Sequence, residues 1–179
     1  MSNEYCENKL VQESSIQLLK ETLGWDTAFA FNEEVLGVDG TFGRTSYKQV
    51  LLPKYLRAAL TRLNPWINDK QIAQVMEKLE ERSASTSLLE VNREKYELLR
   101  NGVDVDILDD KGRKSSKKAL LLDFNNVGNN SFLAVQELKI SGPIYNRRTD
   151  IIGFINGIPL VFIELKRADV DIYNAYIDN

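Results

Sequence analysis

The sequence predicts an α/β fold in which a central mixed β-sheet is flanked by helices. Two observations carry this prediction. Apolar residues recur at helical spacing through the first half, about residues 7–100, and over about residues 102–179 they alternate with polar residues or form short unbroken runs. No credible linker separates the halves, so we expect one domain over residues 1–179 rather than separate α and β domains.

Four helices are expected, over residues 7–23, 52–63, from 68 onward and about 88–100. Pro53 falls in the first turn of the second helix, where its missing N–H is harmless. Asn68 and Gln71 form a capping-box pattern at the start of the third helix. Gly102 follows the fourth helix and marks the change from helical to strand-like periodicity.

Five strands are expected, near residues 103–108, 119–124, 132–140, 150–155 and 159–166. In the first of them Val103 and Val105 alternate with Asp104, as on a half-exposed strand. The last two strands are almost continuously apolar and are joined by Asn156-Gly157. They therefore predict a hairpin that is buried on both faces.

The composition excludes several kinds of chemistry. The chain has no histidine, which excludes Ser-His-Asp triads and histidine-containing zinc sites. Its single cysteine, Cys6, excludes an internal disulfide, and no apolar run has the length of a membrane span. We therefore expect a cytoplasmic protein with no membrane partner. The net charge of −3 predicts that any affinity for DNA is weak and strongly lowered by salt.

Polar residues at the open end of the predicted hairpin form a candidate metal site. Asp150 precedes one strand, and Glu164 and Lys166 close the other on a shared face. Two carboxylates about 4 Å apart repel by roughly 4 kcal/mol near a protein surface, and a divalent cation reverses that sign. Magnesium takes one or two carboxylates together with waters and phosphate oxygens. On spacing alone, a solvated strand exit and a turn aspartate explain these residues as well.

The hairpin register decides whether the two carboxylates can meet. A strict two-residue turn at Asn156-Gly157 pairs Asp150 with Ile163 and turns it away from Glu164. A shared metal therefore requires a three- or five-residue connection, or a bulge that absorbs one residue. Pro159 favours such an irregularity because it cannot donate to the ladder. We therefore predict that Asn156-Gly157 does not form a simple two-residue hairpin.

Several segments together resemble a known family. The hairpin contains Arg148-Thr149-Asp150-Ile151-Ile152, Asn156-Gly157-Ile158-Pro159-Leu160-Val161 and Ile163-Glu164-Leu165-Lys166. Earlier segments are Glu13 with Leu23-Gly24-Trp25, Gly43-Arg44-Thr45-Ser46-Tyr47, Ala58-Ala59-Leu60-Thr61-Arg62-Leu63-Asn64-Pro65, and Asn92-Arg93 with Leu98-Leu99-Arg100-Asn101-Gly102-Val103. In this order they resemble the nuclease domain of type I restriction subunits, within the PD-(D/E)xK superfamily. The likeness covers nearly the whole chain.

This resemblance implies a restriction-endonuclease-like core and a metal-dependent endonuclease domain within a type I restriction-modification complex. It implies Asp150 and Glu164 as metal ligands, Lys166 as the catalytic lysine, and Mg²⁺ or Mn²⁺ as the cofactor. Implied partners are double-stranded DNA and the methyltransferase and specificity subunits. No Gly-x-x-x-x-Gly-Lys-Ser/Thr segment occurs in the sequence, so we expect no ATP site of the P-loop kind in this chain. The resemblance implies that ATP is used by motor domains outside this chain.

The sequence departs from the family pattern in two places. The superfamily often adds a glutamate on its first helix, and Glu13 is the candidate for a further metal ligand. Glu13 lies at the edge of the apolar stripe, however, while Gln12 falls in its middle, so a solvated helix carboxylate is the alternative. The family continues with a helix carrying Gln-x-x-x-Tyr, and the sequence reaches Asn179 without that motif. We therefore expect a fragment of a longer subunit.

Basic residues supply candidate DNA contacts at two places. Lys114 lies in a basic run over residues 111–118, and Arg147 and Arg148 stand beside Asp150. The alternatives are a solvated loop for the first and ion pairs with the protein's own carboxylates for the second. Two other functions also remain open: a non-catalytic docking or DNA-binding module of the restriction subunit, and another nuclease of the same superfamily.

Overall fold

The computed structural model describes residues 7–81, 87–109, 111–142 and 145–165. Its helices are α1 (Glu7–Leu23), α2 (Pro53–Leu63), α3 (Asp69–Glu80) and α4 (Leu88–Asn101), with a short 3₁₀ turn at Val127–Asn129. Its strands are β1 (Asp26–Phe29), β2 (Val103–Leu108), β3 (Lys114–Ala119), β4 (Phe132–Gln136), β5 (Lys139–Ser141), β6 (Asn146–Arg148), β7 (Ile151–Ile155) and β8 (Ile158–Ile163). All four predicted helices are confirmed.

The helix ends follow from their local sequence. Pro53 occupies the first turn of α2. At α3 the Asn68 side chain accepts hydrogen bonds from the backbone N–H groups of Lys70 and Gln71, and the Gln71 side chain accepts one from the backbone N–H of Asn68. This reciprocal pair is the predicted capping box. Gly102 ends α4 with a φ of 79°, a conformation that favours glycine.

A four-stranded mixed sheet in the order β1-β4-β7-β8 forms the centre of the fold. Strand β1 runs parallel to β4, whereas the β4–β7 and β7–β8 pairs are antiparallel. Helix α1 covers one face, where Ile16 packs against Ala134 and Ile151. On the other face Phe42 and Leu52 pack against the sheet. The predicted fold class, a mixed sheet flanked by helices, is confirmed, and the single domain over residues 1–179 stays a prediction.

The predicted membership of the sheet is wrong at its first two strands. Strand β2 pairs with β3 in a separate hairpin that packs on α3 and does not join the central sheet. The second strand forms over Lys114–Ala119 and not over residues 119–124. There the Asn64 side chain bonds both the N–H and the C=O of Leu120, at 2.8 and 2.9 Å, and so replaces a neighbouring strand. This tertiary contact is invisible to a local pattern of apolar residues.

Two short strands were not predicted, and one predicted strand is split. Strand β1 has four residues and is held by its parallel pairing with β4. The predicted strand over 132–140 divides into β4 and β5 because Glu137 adopts a φ of 52° between them. Strand β5 then pairs with the unpredicted β6 in a third, two-stranded sheet. Strands this short carry too few residues for alternation to reveal them.

The hairpin of β7 and β8 forms as predicted, but its two strands differ in burial. Residues 151–154 of β7 are buried, as expected for a central strand. Strand β8 lies at the edge of the sheet, and 57% of the Phe162 side chain is exposed. The prediction of burial on both faces is therefore wrong for β8.

Candidate active site

The hairpin turn has two residues, so the prediction of a longer connection is wrong. Asn156 and Gly157 have φ values of 53° and 78°, and Ile155 pairs directly with Ile158. Two consecutive positive φ angles match the twist of a two-residue hairpin and explain why an asparagine–glycine pair occupies the turn. Taken alone, this turn would place Asp150 opposite Ile163.

A bulge further along the hairpin changes that register. Phe154 pairs with Pro159, but Gly153 pairs with Val161, so Leu160 is an extra residue on β8. The predicted alternative, a bulge that absorbs one residue, is therefore confirmed. Beyond the bulge the register continues to Ile151 and Ile163. One further step places Asp150 opposite Glu164.

Local packing accounts for the position of the bulge. A Cβ atom on Gly153 would lie 2.8 Å from the Trp25 ring and 3.0 Å from Cβ of Val161. Glycine therefore allows the tryptophan to lie directly on the strand. On the opposing strand Pro159 has no N–H for the ladder, so regular pairing is already interrupted beside Leu160.

The strand after the bulge directs Glu164 away from α1. Ile163 and Leu165 both pack with the cluster around Ile16, on the face that α1 covers. Side chains alternate along a strand, so Glu164 points to the opposite face. Asp150 is tied to the same place, because its Oδ2 atom accepts a hydrogen bond of 2.7 Å from the N–H of Leu165. The two carboxylates thus belong to one end of the hairpin.

The backbone of Asp150 is held from two further elements. Its carbonyl oxygen accepts a hydrogen bond of 3.0 Å from the N–H of Glu137, which follows β4. It also accepts one of 2.8 Å from Nε2 of Gln12 on α1. The neighbouring Thr149 is buried and donates through both its N–H and its hydroxyl to the carbonyl of Leu138. Asp150 is therefore fixed before any ligand binds.

Gln12, and not Glu13, is the residue through which α1 touches the site. Glu13 is exposed, whereas Gln12 is half-buried. The sequence carried one signal for this contact, because a glutamine in the middle of an apolar stripe needs a polar partner. Sequence reasoning noted that position without assigning it a role. The assignment of Glu13 as a metal ligand stays a prediction.

The donor set suits a divalent cation such as magnesium. Within residues 7–81, 87–109, 111–142 and 145–165, no group of three or more His, Cys, Asp or Glu side chains is arranged to hold a metal. Asp150 and Glu164 lie on opposing positions of the hairpin, and Lys166 lies outside the described residues. One or two carboxylates, with the remaining positions left to water and phosphate oxygens, are the ligands that magnesium prefers. The residues present fit that ion.

The basic candidates lie in different surroundings. Arg148 forms an ion pair of 3.3 Å with Glu137, and its guanidinium lies 4.6 Å from the centre of the Phe31 ring. Arg147 is exposed on the same strand. Lys114 is exposed at the start of β3, far along the chain in the separate hairpin. Their roles as DNA contacts stay predictions.

The turn end of the hairpin is built into the core. The Asn156 side chain is completely buried and donates to the carbonyl of Leu121 and the Asn130 side chain. Its Oδ1 atom accepts hydrogen bonds from the N–H of Ser131 and from Arg62. These contacts attach the turn to α2 and to the loop before β4.

The loop that supplies Asn130 is organised by Asp123. Its carboxylate accepts hydrogen bonds from the backbone N–H groups of Asn126 and Asn125 and from the Asn129 side chain. The bond from Asn126 contributes most to holding the pKa of Asp123 below its usual value. The ionised form of Asp123 thus favours the loop that closes over the hairpin turn.

Comparison with known proteins identifies the family. A family model for the type I restriction enzyme R protein N terminus matches residues 4–178. The chain belongs to this family. The match covers the bulged hairpin, α1 and the segments between them, so the family and the candidate site occupy the same region of the molecule.

Curated relatives carry the same designation. The chain is 33% identical over 170 residues to the type I restriction enzyme HindI endonuclease subunit of Haemophilus influenzae, covering 93% of this chain and 16% of that protein. It is 28% identical over 163 residues to the putative type I restriction enzyme MjaIXP endonuclease subunit of Methanocaldococcus jannaschii, covering 89% of this chain and 15% of that protein. The chain thus spans about a sixth of the length of these relatives.

Among the described residues, none of the helices combines the length and the apolar character needed to cross a bilayer.

Proposed function

We propose that this R protein N-terminal domain is a metal-dependent endonuclease that hydrolyses DNA phosphodiester bonds within a type I restriction-modification complex. The bulge at Leu160 carries the proposal. It places Asp150 opposite Glu164 against the register that the two-residue turn would impose. A hairpin that served only to build the sheet would have no need to bring two like charges together at its open end.

The carboxylates would bind Mg²⁺ or Mn²⁺, which supplies charge stabilisation for the attacked phosphate and acidifies a bound water. Asp150 contributes the oxygen not engaged by Leu165, and Glu164 contributes from the opposing strand. Lys166 orients the attacking water or neutralises charge on the phosphate. Gln12 acts as a positioning residue, because it contacts the carbonyl of Asp150 and not its carboxylate.

The partners of the domain are part of the same proposal. Its substrate is double-stranded DNA, and its assembly includes methyltransferase and specificity subunits. The relatives are about six times longer than this chain, and we assign ATP-driven translocation to motor domains elsewhere in such a polypeptide. This division predicts that cleavage and ATP hydrolysis can be separated by mutation.

The decisive experiment compares cleavage by Asp150→Asn, Glu164→Gln and Lys166→Ala variants of the intact protein. We expect each to lower the cleavage rate by at least about 100-fold, because each removes a group proposed to act directly on the metal or the phosphate. ATP hydrolysis should survive. Asp39→Asn, an exposed carboxylate in the loop before α2, is the matched control and should cleave normally.

A metal titration distinguishes the residues proposed to bind the metal from the lysine proposed to act on the water or the phosphate. Calorimetric binding of magnesium or manganese should weaken in Asp150→Asn and Glu164→Gln and remain measurable in Lys166→Ala. Glu13→Gln tests the further ligand on α1 in the same assay. Normal cleavage by a variant refutes that residue's assignment, and normal cleavage by all three favours a non-catalytic docking module.

A further inference from the structure

The hairpin of β5 and β6 places two cations side by side. Lys139 pairs directly with Arg148 across these antiparallel strands, so both side chains lie on one face. Like charges in directly opposed positions are destabilising. The ammonium of Lys139 lies 4.6 Å from the centre of the Tyr47 ring, and the Arg148 guanidinium lies 4.6 Å from that of Phe31. Each cation is thus supported by an aromatic ring.

The acidic neighbours leave this pair with a net positive charge. Glu137 is shared with Arg148 at 3.3 Å, and no carboxylate of the described residues lies within 4 Å of the Lys139 ammonium. The carboxylate of Glu34 is engaged by the fully buried Arg44 in a two-point ion pair. An anion that binds to both cations would therefore lower the electrostatic repulsion between them.

The backbone that carries the two cations is held by tertiary hydrogen bonds. The N–H of Ser141 donates to the carbonyl of Tyr47 at 2.9 Å. Arg44 donates to the carbonyl of Lys139 at 3.0 Å and is itself buried. The hairpin and the loop that carries Tyr47 are therefore joined, and the backbone positions of the two cations are set before an anion binds.

Glu137 connects this unit to the candidate active site. The carboxylate of Glu137 binds Arg148, and the N–H of Glu137 donates to the carbonyl of Asp150. Strand β6 also ends at Arg148, two positions before Asp150. The separation between the cation pair and the carboxylates is therefore fixed by covalent structure and by hydrogen bonds.

We propose that Lys139 and Arg148, supported by Tyr47 and Phe31, form a binding site for a backbone phosphate of duplex DNA next to the bond that is cut. This proposal rests on the proposed function, because it takes DNA as the substrate. The anion is a backbone phosphate and not a stacked base, since the cations occupy faces of the two rings. The site sets the position of the duplex along the Asp150–Glu164 pair.

The β2–β3 hairpin offers no equivalent site. Two of its cations are matched internally, with Lys118 paired to Asp104 and Arg113 paired to Asp109. Lys117 lies 4.4 Å from the centre of the Trp66 ring, but the residue directly opposite it is Val105 and not a second cation. The adjacent groove of about 550 Å³ is lined mostly by acidic residues of α3 and β2: Glu77, Glu80, Glu81, Asp104 and Asp106. A phosphate would be repelled there, although Lys114 is exposed beside it.

The test measures binding of a short DNA duplex to the intact protein in EDTA, where cleavage is suppressed, over a series of salt concentrations. Each lost phosphate contact should reduce the slope of log affinity against log salt by about 0.9. We expect this reduction in Lys139→Ala and in Arg148→Ala. Lys70→Ala, an exposed cation on α3, is the matched control and should retain the full slope.

Two further variants separate charge from folding. Tyr47→Leu removes the ring and keeps the charges, so the slope should persist. Glu137→Gln removes the competing carboxylate and should bind DNA more tightly. Unchanged slopes in both Lys139→Ala and Arg148→Ala overturn the phosphate site, as does a loss confined to Lys114→Ala. Because metal is absent, failure of the Asp150 and Glu164 variants to affect cleavage would leave this result standing.

Discussion

The two ends of the β7–β8 hairpin differ in the surroundings of their polar side chains. At the turn end, the buried Asn156 side chain finds partners for its donors and its acceptor within the protein. At the open end, Asp150 and Glu164 are half-buried carboxylates on opposing positions of the two strands. One end closes the fold, and the other carries the proposed metal ligands.

The bulge at Leu160 allows both ends to exist on one hairpin. The turn end fixes the pairing of Ile155 with Ile158, and the bulge then shifts the register by one residue before the strands reach the carboxylates. A hairpin therefore does not transmit its turn geometry along its full length. Substitutions at the turn end should therefore change the free energy of unfolding, and substitutions at the open end should change metal binding and cleavage.

The largest expected effect comes from deleting Leu160. Deletion removes the extra residue and rotates Glu164 to the wrong face, so cleavage should fall by at least about 100-fold, beyond the loss typical of disturbed groups around a metal site. Leu160→Ala keeps the residue count and should cleave at nearly the normal rate. A deletion variant that is folded by circular dichroism and still cleaves normally would refute the role of the register.

Asn156→Ala should chiefly destabilise the fold. It leaves several buried groups without partners and places alanine at a φ of 53°, so we expect a loss of about 3 kcal/mol in the free energy of unfolding. Urea denaturation measures this loss. Magnesium affinity under native conditions should be unchanged. Weakened metal binding without a loss of stability would show that the two ends are not separable.

Substitution of Gln12 should lower metal affinity and leave the stability of the fold nearly unchanged. Gln12→Ala removes the amide donor that holds the carbonyl of Asp150 and adds no charge, so metal affinity should fall by about 10-fold. The midpoint of urea denaturation should change little, because the side chain is only half-buried. Gln17→Ala, on the exposed side of α1, is the matched control. Equal effects in the two variants would remove the positioning role from Gln12.

The smallest effect concerns acid sensitivity at the turn end. The folded-state pKa of Asp123 lies below its usual value, so its contribution to stability is complete above that usual value and is lost as the pH falls through the folded-state pKa. Asp123→Asn should therefore flatten the acid limb of stability against pH. Unfolding measured from pH 7 to pH 3 tests this, with Asp39→Asn as the control. An unchanged acid limb in Asp123→Asn contradicts the prediction.

Much of the site could be predicted from the sequence because its signals are local. Asp150, Glu164 and Lys166 interrupt apolar runs, and the family resemblance implied roles for them. The requirement for an irregular register also followed from counting residues between Asn156 and the carboxylates. Its form did not follow, because a longer turn and a bulge both satisfy the same count.

The sequence by itself determined the elements that depend on neighbours along the chain. The capping box at Asn68, the proline at the start of α2 and the Asn156-Gly157 turn each act within a few residues, so their patterns were sufficient. The tertiary structure decided the rest. Leu120 leaves the sheet because Asn64 replaces its strand partner, Gln12 reaches Asp150 from α1, and the bulge lies where Trp25 rests on Gly153. Each of these contacts joins distant segments, and no local pattern encodes which segments will meet.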